Sequence, residues 1–353
     1  MYTNTESIFF IFEYLLVSLV ISTIMSWIGI KLVRQFSLFD RPGSAPHKQH
    51  DRPIPIAGGA ALLLTILCGG WVFGVFNHPE LRASLIAALP VFFFGLWDDF
   101  KPITPLLKLV GQIIAAGLLI ALGVYIQVFE TLAEVFFYTS GGIYLYLDWF
   151  VTVLWVVGMT NAFNFVDSMD GLAIGIGGMA ASFFMLVTLD SGQFWLAQYS
   201  TILIGACLGL YFFNAYPAIL FLGDSGAQLL GFLLAVLAIL YAPQNADQAS
   251  SWFVPIILLS VPIFDASLVV ISRLRRGRPV YTAALDHTYH RLLRLGLHSN
   301  RAVLVLHGVS LALGCLAFIC LVQPPLIANL IFFSLLALGI LTLCFLDRRS
   351  NWV

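Results

Sequence analysis

Residues Ile8 to Ile30, IFFIFEYLLVSLVISTIMSWIGI, decide the fold class. The hydrocarbon core of a bilayer is about 30 Å thick and a helix rises ~1.5 Å per residue, so a span takes about 20 apolar residues. This stretch is long enough, with Glu13 its one charge. Glu6 precedes it and the first basic residue, Lys31, follows it. A cleavable leader carries its positive charge in front, so the run is expected to stay as a first span with its N-terminus outside.

The rest of the chain repeats the signal. Of 353 residues, 60% are hydrophobic and only 10% charged, and the mean hydropathy is +0.95, which overrules a soluble multidomain reading. Apolar runs near 8–30, 55–76, 83–97, 106–124, 148–162, 170–189, 195–214, 226–242, 252–272, 302–322 and 325–346 predict about eleven transmembrane helices. The expected fold is an all-α polytopic integral membrane protein, one membrane domain over residues 1–353, with an outside N-terminus and a cytoplasmic C-terminus.

The basic residues agree with that topology. Lys31, Arg34, Arg41, Lys48 and Arg52 fall in the first loop, and Lys101 and Lys108 in or beside the third. Arg273, Arg275, Arg276, Arg278, Arg291, Arg294 and Arg301 fall in the ninth loop, and Arg348 and Arg349 in the tail. Only Arg82 is left outside, which satisfies the positive-inside rule. The cysteines Cys68, Cys207, Cys315, Cys320 and Cys344 all sit in apolar runs without paired spacing, and read as packing residues. Thr104-Pro105 reads as an N-cap and first helical residue of the fourth span. The aromatic, β-branched segment from Tyr125 to Leu147 predicts an interfacial hairpin.

In so apolar a chain the polar clusters stand out. Asn161, Asn164, Asp167 and Asp170 follow one another at intervals of three, which would align them along one helix face; Gly171 favours instead a helix end opening into a turn. Asp98-Asp99 ends the third span, and Asp224 lies in Phe221-Leu222-Gly223-Asp224-Ser225-Gly226 between the seventh and eighth. Five acids from three loops thus share one membrane face, the cytoplasmic one. Carboxylates so grouped repel unless a cation intervenes, and hard oxygen donors suit Mg²⁺ and a phosphorylated ligand. The plainer alternatives are helix caps for the acids and interhelical hydrogen bonds for the amides. His287 and His290 are loop residues without the further donors a zinc site takes, and their neighbouring arginines suit an anion. Asp265 and Glu13 are acids inside spans, where ionisable groups are costly and either pair or function.

Five segments together carry a resemblance. Asn161 to Ala173 (NAFNFVDSMDGLA), Gly95 to Asp99 (GLWDD), Asn214 to Gly226 (NAYPAILFLGDSG), His287 to Leu292 (HTYHRL) and His50 to Gly59 (HxxPxPxxGG) resemble the polyprenyl-phosphate N-acetylhexosamine-1-phosphate transferase family, glycosyltransferase family 4. The resemblance runs over residues 48–305, leaving 325–346 as an extra C-terminal span. It implies attack by a lipid phosphate, undecaprenyl phosphate, on the sugar-linked phosphate of a UDP-N-acetylhexosamine, giving lipid-diphosphate-sugar and UMP with Mg²⁺ or Mn²⁺. It implies a multi-pass enzyme of the bacterial inner membrane, a possible homodimer, working with membrane lipid and no nucleic acid. One phosphoanhydride is broken and one made, in keeping with the lack of a Walker A motif.

By the same resemblance, Asp98, Asp99 and Asp167 are the catalytic acids, the first two deprotonating or positioning the lipid phosphate. Asp224 and Asn164 are the metal ligands. Lys48, Lys108, Asn161, Asp170, Asn214, Phe221, His287, His290 and Arg291 bind substrate, with Phe221 and Asn214 on the uracil. Two departures bear on the subgroup: Pro53 to Gly59 lacks the pattern of the muramoyl-pentapeptide enzymes, and Tyr289 stands where the WecA/TagO-like GlcNAc-1-phosphate transferases carry a histidine. The chain resembles the latter more than the phospho-MurNAc-pentapeptide transferases (MraY), which are the first alternative; a secondary transporter is the alternative from another class.

Overall fold

A computed structural model describes residues 4–36, 38–40, 52–138, 141–243, 248–280 and 286–348. The chain forms α1 (Asn4–Phe36), the two-residue strands β1 (Phe39–Asp40) and β2 (Ile54–Pro55), then α2 (Gly58–Val72), α3 (Pro79–Phe100), α4 (Pro105–Ala121) and α5 (Phe129–Phe137). There follow α6 (Ile143–Val166), α7 (Leu172–Asp190), α8 (Phe194–Asn214), α9 (Gly223–Leu240), α10 (Gln248–Ser251), α11 (Val254–Leu258) and α12 (Ser260–Arg275). The last three helices are α13 (Thr288–Arg294), α14 (Ser299–Leu321) and α15 (Pro325–Arg348).

Eight helices among the described residues, α1, α3, α6, α7, α8, α9, α14 and α15, are long and apolar enough to cross a membrane, and α2 and α4 are shorter apolar helices. The protein is a polytopic all-α membrane protein. The ninth apolar run is split between α11 and α12 at Leu259. Pro262 accounts for the break, since it cannot donate to the Leu258 carbonyl and its ring crowds that position; the ladder resumes with Ile263 N–H donating to Leu259 O at 3.2 Å.

Lipid reverses the usual burial pattern. Along α1 the large residues Phe9, Phe12, Leu16, Val20, Ile24 and Trp27 are exposed, while Ser18, Ser22 and Ser26 are fully buried. Lipid tails are as apolar as leucine, so helices associate through small residues and hydrogen bonds. On this face α1 packs on α8, and the Ser22 hydroxyl donates to Ala206 O at 2.7 Å. Such a bond contributes about 0.6 kcal/mol in a membrane.

At the centre stands α9, apolar on every side and buried continuously from Ser225 to Leu237. It packs against α2, α3, α6 and α7. The α3 crossing is backbone against backbone: a Cβ on Gly95 would lie 2.6 Å from Ser225 Cα. That approach sets Asp98 and Asp99, just beyond Gly95, beside the N-terminus of α9.

The segment from Tyr125 to Leu147 contains α5 rather than the expected hairpin. The buried Asp148 carboxylate of α6 accepts the N–H groups of Val128 (3.0 Å), Phe129 (2.9 Å) and Glu130 (3.0 Å). These are donors that a starting helix leaves unpaired, so a distant acid nucleates a helix where local composition favours strand.

Candidate active site

The site is built on the first turn of α9. Asp99 Oδ1 accepts from Asp224 N–H at 2.7 Å, and Oδ2 accepts from Ser225 N–H at 3.1 Å and from its hydroxyl at 2.5 Å. An acid from α3 therefore caps a helix it does not belong to, where free N–H groups and the helix dipole favour negative charge. Gly223 has φ +73, and a Cβ there would lie 2.8 Å from Asp99 Oδ2, so only glycine admits the carboxylate this close.

Asp98 turns the other way. Its Oδ1 accepts from Ile103 N–H at 2.8 Å, closing the turn into α4, and its Oδ2 lies 2.8 Å from Lys108 Nζ. The same ammonium pairs with Asp224 Oδ2. Thr104 caps α4 as expected, its Oγ1 accepting from Leu107 N–H at 3.4 Å, and one turn later α4 delivers Lys108 between two carboxylates.

One turn deeper is a layer of amides. Gln112 Nε2 donates to Asn161 Oδ1 (3.2 Å) and Gln228 Oε1 (3.0 Å), while Asn161 Nδ2 donates to Gln112 Oε1 (2.7 Å) and Val157 O (2.8 Å). Asn161 is thus engaged with Gln112 of α4 and with its own helix, and Gln112 and Gln228 are site neighbours that sequence reasoning missed. Their signal was present, since each stands four residues beyond a charged residue, Lys108 or Asp224.

The turn from Asp167 to Gly171 forms the next wall. Asn164 stands in the last turn of α6, Asp167 is that helix's C-cap, and Gly171, at φ +74, opens α7. Asp170 Oδ2 accepts from Ala218 N–H at 2.9 Å, and Asn214 joins both sides, accepting from Gly171 N–H at 3.2 Å and donating to Leu220 O at 3.0 Å. Phe221 N–H donates to Pro55 O at 2.9 Å and its carbonyl accepts from Gly58 N–H at 3.0 Å, so the PxPxxGG stretch lies along the residues before Asp224. Burial, then the charges of Asp224, Asp99 and Asp170, push the pKa of Asp167 up to about 8.

His287 reaches this wall from α13's N-terminal side. Its ring meets Phe165 edge-on at 5.7 Å, and its Nδ1 lies 2.9 Å from Asp265 Oδ2. Asp265 is therefore a paired, buried acid. Tyr289 has its hydroxyl 2.7 Å from His290 Nε2. Burial, and next the neighbouring His287, push the pKa of His290 down to about 4. Arg291 is different: fully buried, it donates to Asp286 O, Leu346 O and Ser272 Oγ at 3.1, 2.7 and 3.0 Å, so its guanidinium faces none of the site's carboxylates. The structure thus gathers Asp98, Asp99, Lys108 and Asp224 in one cluster, with Asn164, Asp167, Asp170, Asn214, Phe221, His287 and His290 on the adjoining segments. Asn161 and Arg291 are tied elsewhere, and Lys48 and His50 lie outside the described residues.

Among the described residues no three His, Cys, Asp or Glu side chains form a metal-holding group. That donor set still fits Mg²⁺, which usually takes one or two carboxylates with waters and substrate phosphates. Asp224 and Asp98 already converge on a cationic group, the Lys108 ammonium.

Comparison with known proteins gives the family. Residues 81–242 match glycosyl transferase family 4. The chain is 30% identical to the probable undecaprenyl-phosphate N-acetylglucosaminyl 1-phosphate transferase of Bacillus subtilis, over 84% of this chain and 80% of that protein. It is 32% identical to the decaprenyl-phosphate N-acetylglucosaminephosphotransferase of Mycobacterium tuberculosis, over 86% of this chain and 81% of that protein. It is also 30% identical to the phospho-N-acetylmuramoyl-pentapeptide-transferase of Shouchella clausii, over 64% of this chain and 73% of that protein. With such identity across most of both chains, and with the matched region containing Asp98, Asp99, Lys108, Asp167 and Asp224, this membrane protein belongs to glycosyl transferase family 4.

Proposed function

We propose that the protein transfers an N-acetylhexosamine-1-phosphate, in the first instance GlcNAc-1-phosphate, from a UDP-sugar to undecaprenyl phosphate. The products are undecaprenyl-diphosphate-HexNAc and UMP, and the reaction is the first membrane step of a cell-surface polysaccharide such as an O-antigen or wall polymer. The observation that carries the reading is the Lys108 ammonium held between Asp98 and Asp224 at the end of α9. This is an arrangement of alternating charge suited to phosphates.

An oxygen of the lipid phosphate attacks the sugar-linked phosphorus, a new P–O–P bond forms, and the bond to UMP breaks. Phosphoryl transfer calls for positioning and charge stabilisation more than covalent chemistry by the protein. Asp224 and Asn164 would hold Mg²⁺, which would neutralise the charge of the diphosphate. Lys108 offers its ammonium to the charge that builds up on the leaving UMP. Asp98 orients the lipid phosphate, which is already largely ionised near pH 7, so little base strength is called for. Asp99 fixes the first turn of α9 and through it Asp224. Asp167, Asp170, Asn214 and Phe221 take the nucleotide, and His287 and His290 approach its phosphates.

The same reading gives α2, α4 and the broken α11–α12 pair their own crossings, eleven in all. The N-terminus then lies outside and the site at the cytoplasmic face of a bacterial inner membrane, where a soluble donor meets a lipid acceptor. The preference for GlcNAc over the muramoyl pentapeptide rests on the 30–32% identity, over more than four fifths of the chain, to proteins named for N-acetylglucosamine transfer.

The test is UMP release by purified protein supplied with undecaprenyl phosphate, Mg²⁺ and a panel of UDP-HexNAc donors. Release with UDP-GlcNAc, abolished by EDTA and restored by Mg²⁺ or Mn²⁺, is expected. No release with any donor would refute the reading, and release with the muramoyl pentapeptide donor alone would reassign the sugar.

A further inference from the structure

The helix α15 lies mostly against lipid, with Leu326, Leu330, Phe333 and Leu341 exposed, yet its last turn is drawn into the protein: Leu346 is 6% and Asp347 2% exposed. Asp347 Oδ2 lies 2.7 Å from Arg275 Nη1, and its Oδ1 lies 3.7 Å from Arg276 Nη2, both at the end of α12. The carbonyl of Leu346 accepts from Arg291 Nη1 at 2.7 Å. Arg291 is wholly buried, and its remaining bonds run to Ser272 of α12 and to the carbonyl of Asp286, the residue before His287. Asp286 is itself held by Arg273, Nε to Oδ2 at 2.9 Å and Nη2 to Oδ1 at 2.8 Å.

A buried guanidinium costs several kcal/mol in desolvation and persists only when its donors are satisfied. Packing a lipid-facing helix does not call for one. What this one accomplishes is a three-way tie among α15, α12 and the entry to α13. The front of the His287 segment is tied separately, with Thr288 N–H donating to Asp265 Oδ1 at 2.6 Å and His287 Nδ1 beside Oδ2 at 2.9 Å. The segment that carries His287 and His290 is therefore fixed at its front by α12 and at its back by the end of α15.

We propose that the C-terminal turn of α15 is a positioning element for the His287–His290 segment, with Arg291 and Asp347 as positioning residues that set affinity for the nucleotide-sugar donor. This rests on the assignment of His287 and His290 to the donor. Arg291, on this account, acts through the backbone of its neighbours and does not touch substrate. With the α15 tie cut, α13 keeps its bonds to α12 at Asp265 and Ser272 but loses the anchor at its back end, which loosens the helix, weakens donor binding and leaves the Asp98–Lys108–Asp224 cluster intact.

The experiment is hydrogen–deuterium exchange and steady-state kinetics on full-length Asp347→Asn, with Arg275→Gln as the milder variant because Arg275 is largely exposed. Amides of Thr288–Arg294 are expected to exchange about tenfold faster while those of α9 are unchanged. The donor KM is expected to rise about tenfold, with kcat and the KM for the lipid acceptor within about twofold of wild type. Arg291→Lys, which keeps the charge but loses the fork, shifts both readouts in the same direction. Unchanged exchange in Thr288–Arg294 in a folded variant, or exchange raised equally in α9, overturns the proposal, as does an unchanged donor KM. Wild type without turnover would sink the transferase reading, and the exchange measurement would still decide this one.

Discussion

Asp99 and Ser225 are joined twice, the Asp99 Oδ2 accepting both the backbone N–H (3.1 Å) and the hydroxyl (2.5 Å) of Ser225 across the contact between α3 and α9. A hydrogen bond contributes about 0.5–1.5 kcal/mol, and a change of about 1.4 kcal/mol is tenfold. Ser225→Ala should therefore slow transfer by up to about tenfold while the N–H bonds keep the helices together. Asp99→Asn, which loses the charge at the α9 N-terminus, should be the more severe. UMP release measured beside detergent melting checks both; equal activity in Asp99→Asn and wild type would remove Asp99 from the machinery.

Lys108 separates two carboxylates that would otherwise face each other. Lys108→Met should lower turnover by about two to three orders of magnitude, the usual cost of deleting a preorganised charge-stabilising group. It should also make the protein's stability depend on divalent cation, since Mg²⁺ bound at 100 times its Kd adds about 2.7 kcal/mol. Melting with and without Mg²⁺ reads this directly: a larger Mg²⁺-induced rise in Tm for Lys108→Met than for wild type is the expected result, and equal rises would count against a cation at Asp224.

His290 makes the fold sensitive to acid. Its pKa falls from 6.5 to about 4 in the folded protein, through burial first and then the neighbouring His287. The unfolded chain therefore binds the proton before the folded one does, so stability is greatest above pH 6.5 and declines as pH drops toward 4. The decline attributable to this residue is on the order of 1–3 kcal/mol. Melting curves between pH 7.5 and pH 4.5 should show it, and His290→Gln should flatten the dependence; an unchanged slope would assign the acid sensitivity to other groups.

Asn214 bridges the turn before α7 and the loop before α9, through Gly171 N–H and Leu220 O. Asn214→Ala leaves both buried groups unpaired, each costing about 1–3 kcal/mol. The expected result is a lowered Tm together with a raised donor KM, since Asp170 and Phe221 lose their common anchor. A normal donor KM in the folded variant would separate this loop from the nucleotide.

Much of the site could be read before any fold was known, because the acids are so rare in this chain that each cluster had to have a use. Asp98, Asp99 and Asp224 do meet, and Thr104 does cap α4. Less legible were the directions in which neighbours point. Asp98 and Asp99 are adjacent in sequence yet serve different partners, Lys108 and the α9 N-terminus, since successive side chains on a helix diverge by about 100°. Asn161 looked like a member of the polar stripe and is held by Gln112. Arg291 looked like an anion clamp and is buried against α15. Tyr125 to Leu147 has the composition of a hairpin, and a carboxylate at Asp148 makes part of it helical.

The sequence by itself determined that this is a membrane protein of apolar helices with its acids gathered at their ends, because hydropathy and charge distribution are properties of local composition that a bilayer reads directly. It also identified the family through five motifs in order. Only the tertiary structure decided which backbone N–H groups each carboxylate accepts, that one lysine stands between two acids, and that the end of α15 is tied to His287 through Arg291. Most of those partners come from helices distant in sequence, and their distances depend on how closely the helices approach, as Gly95 against Ser225 illustrates.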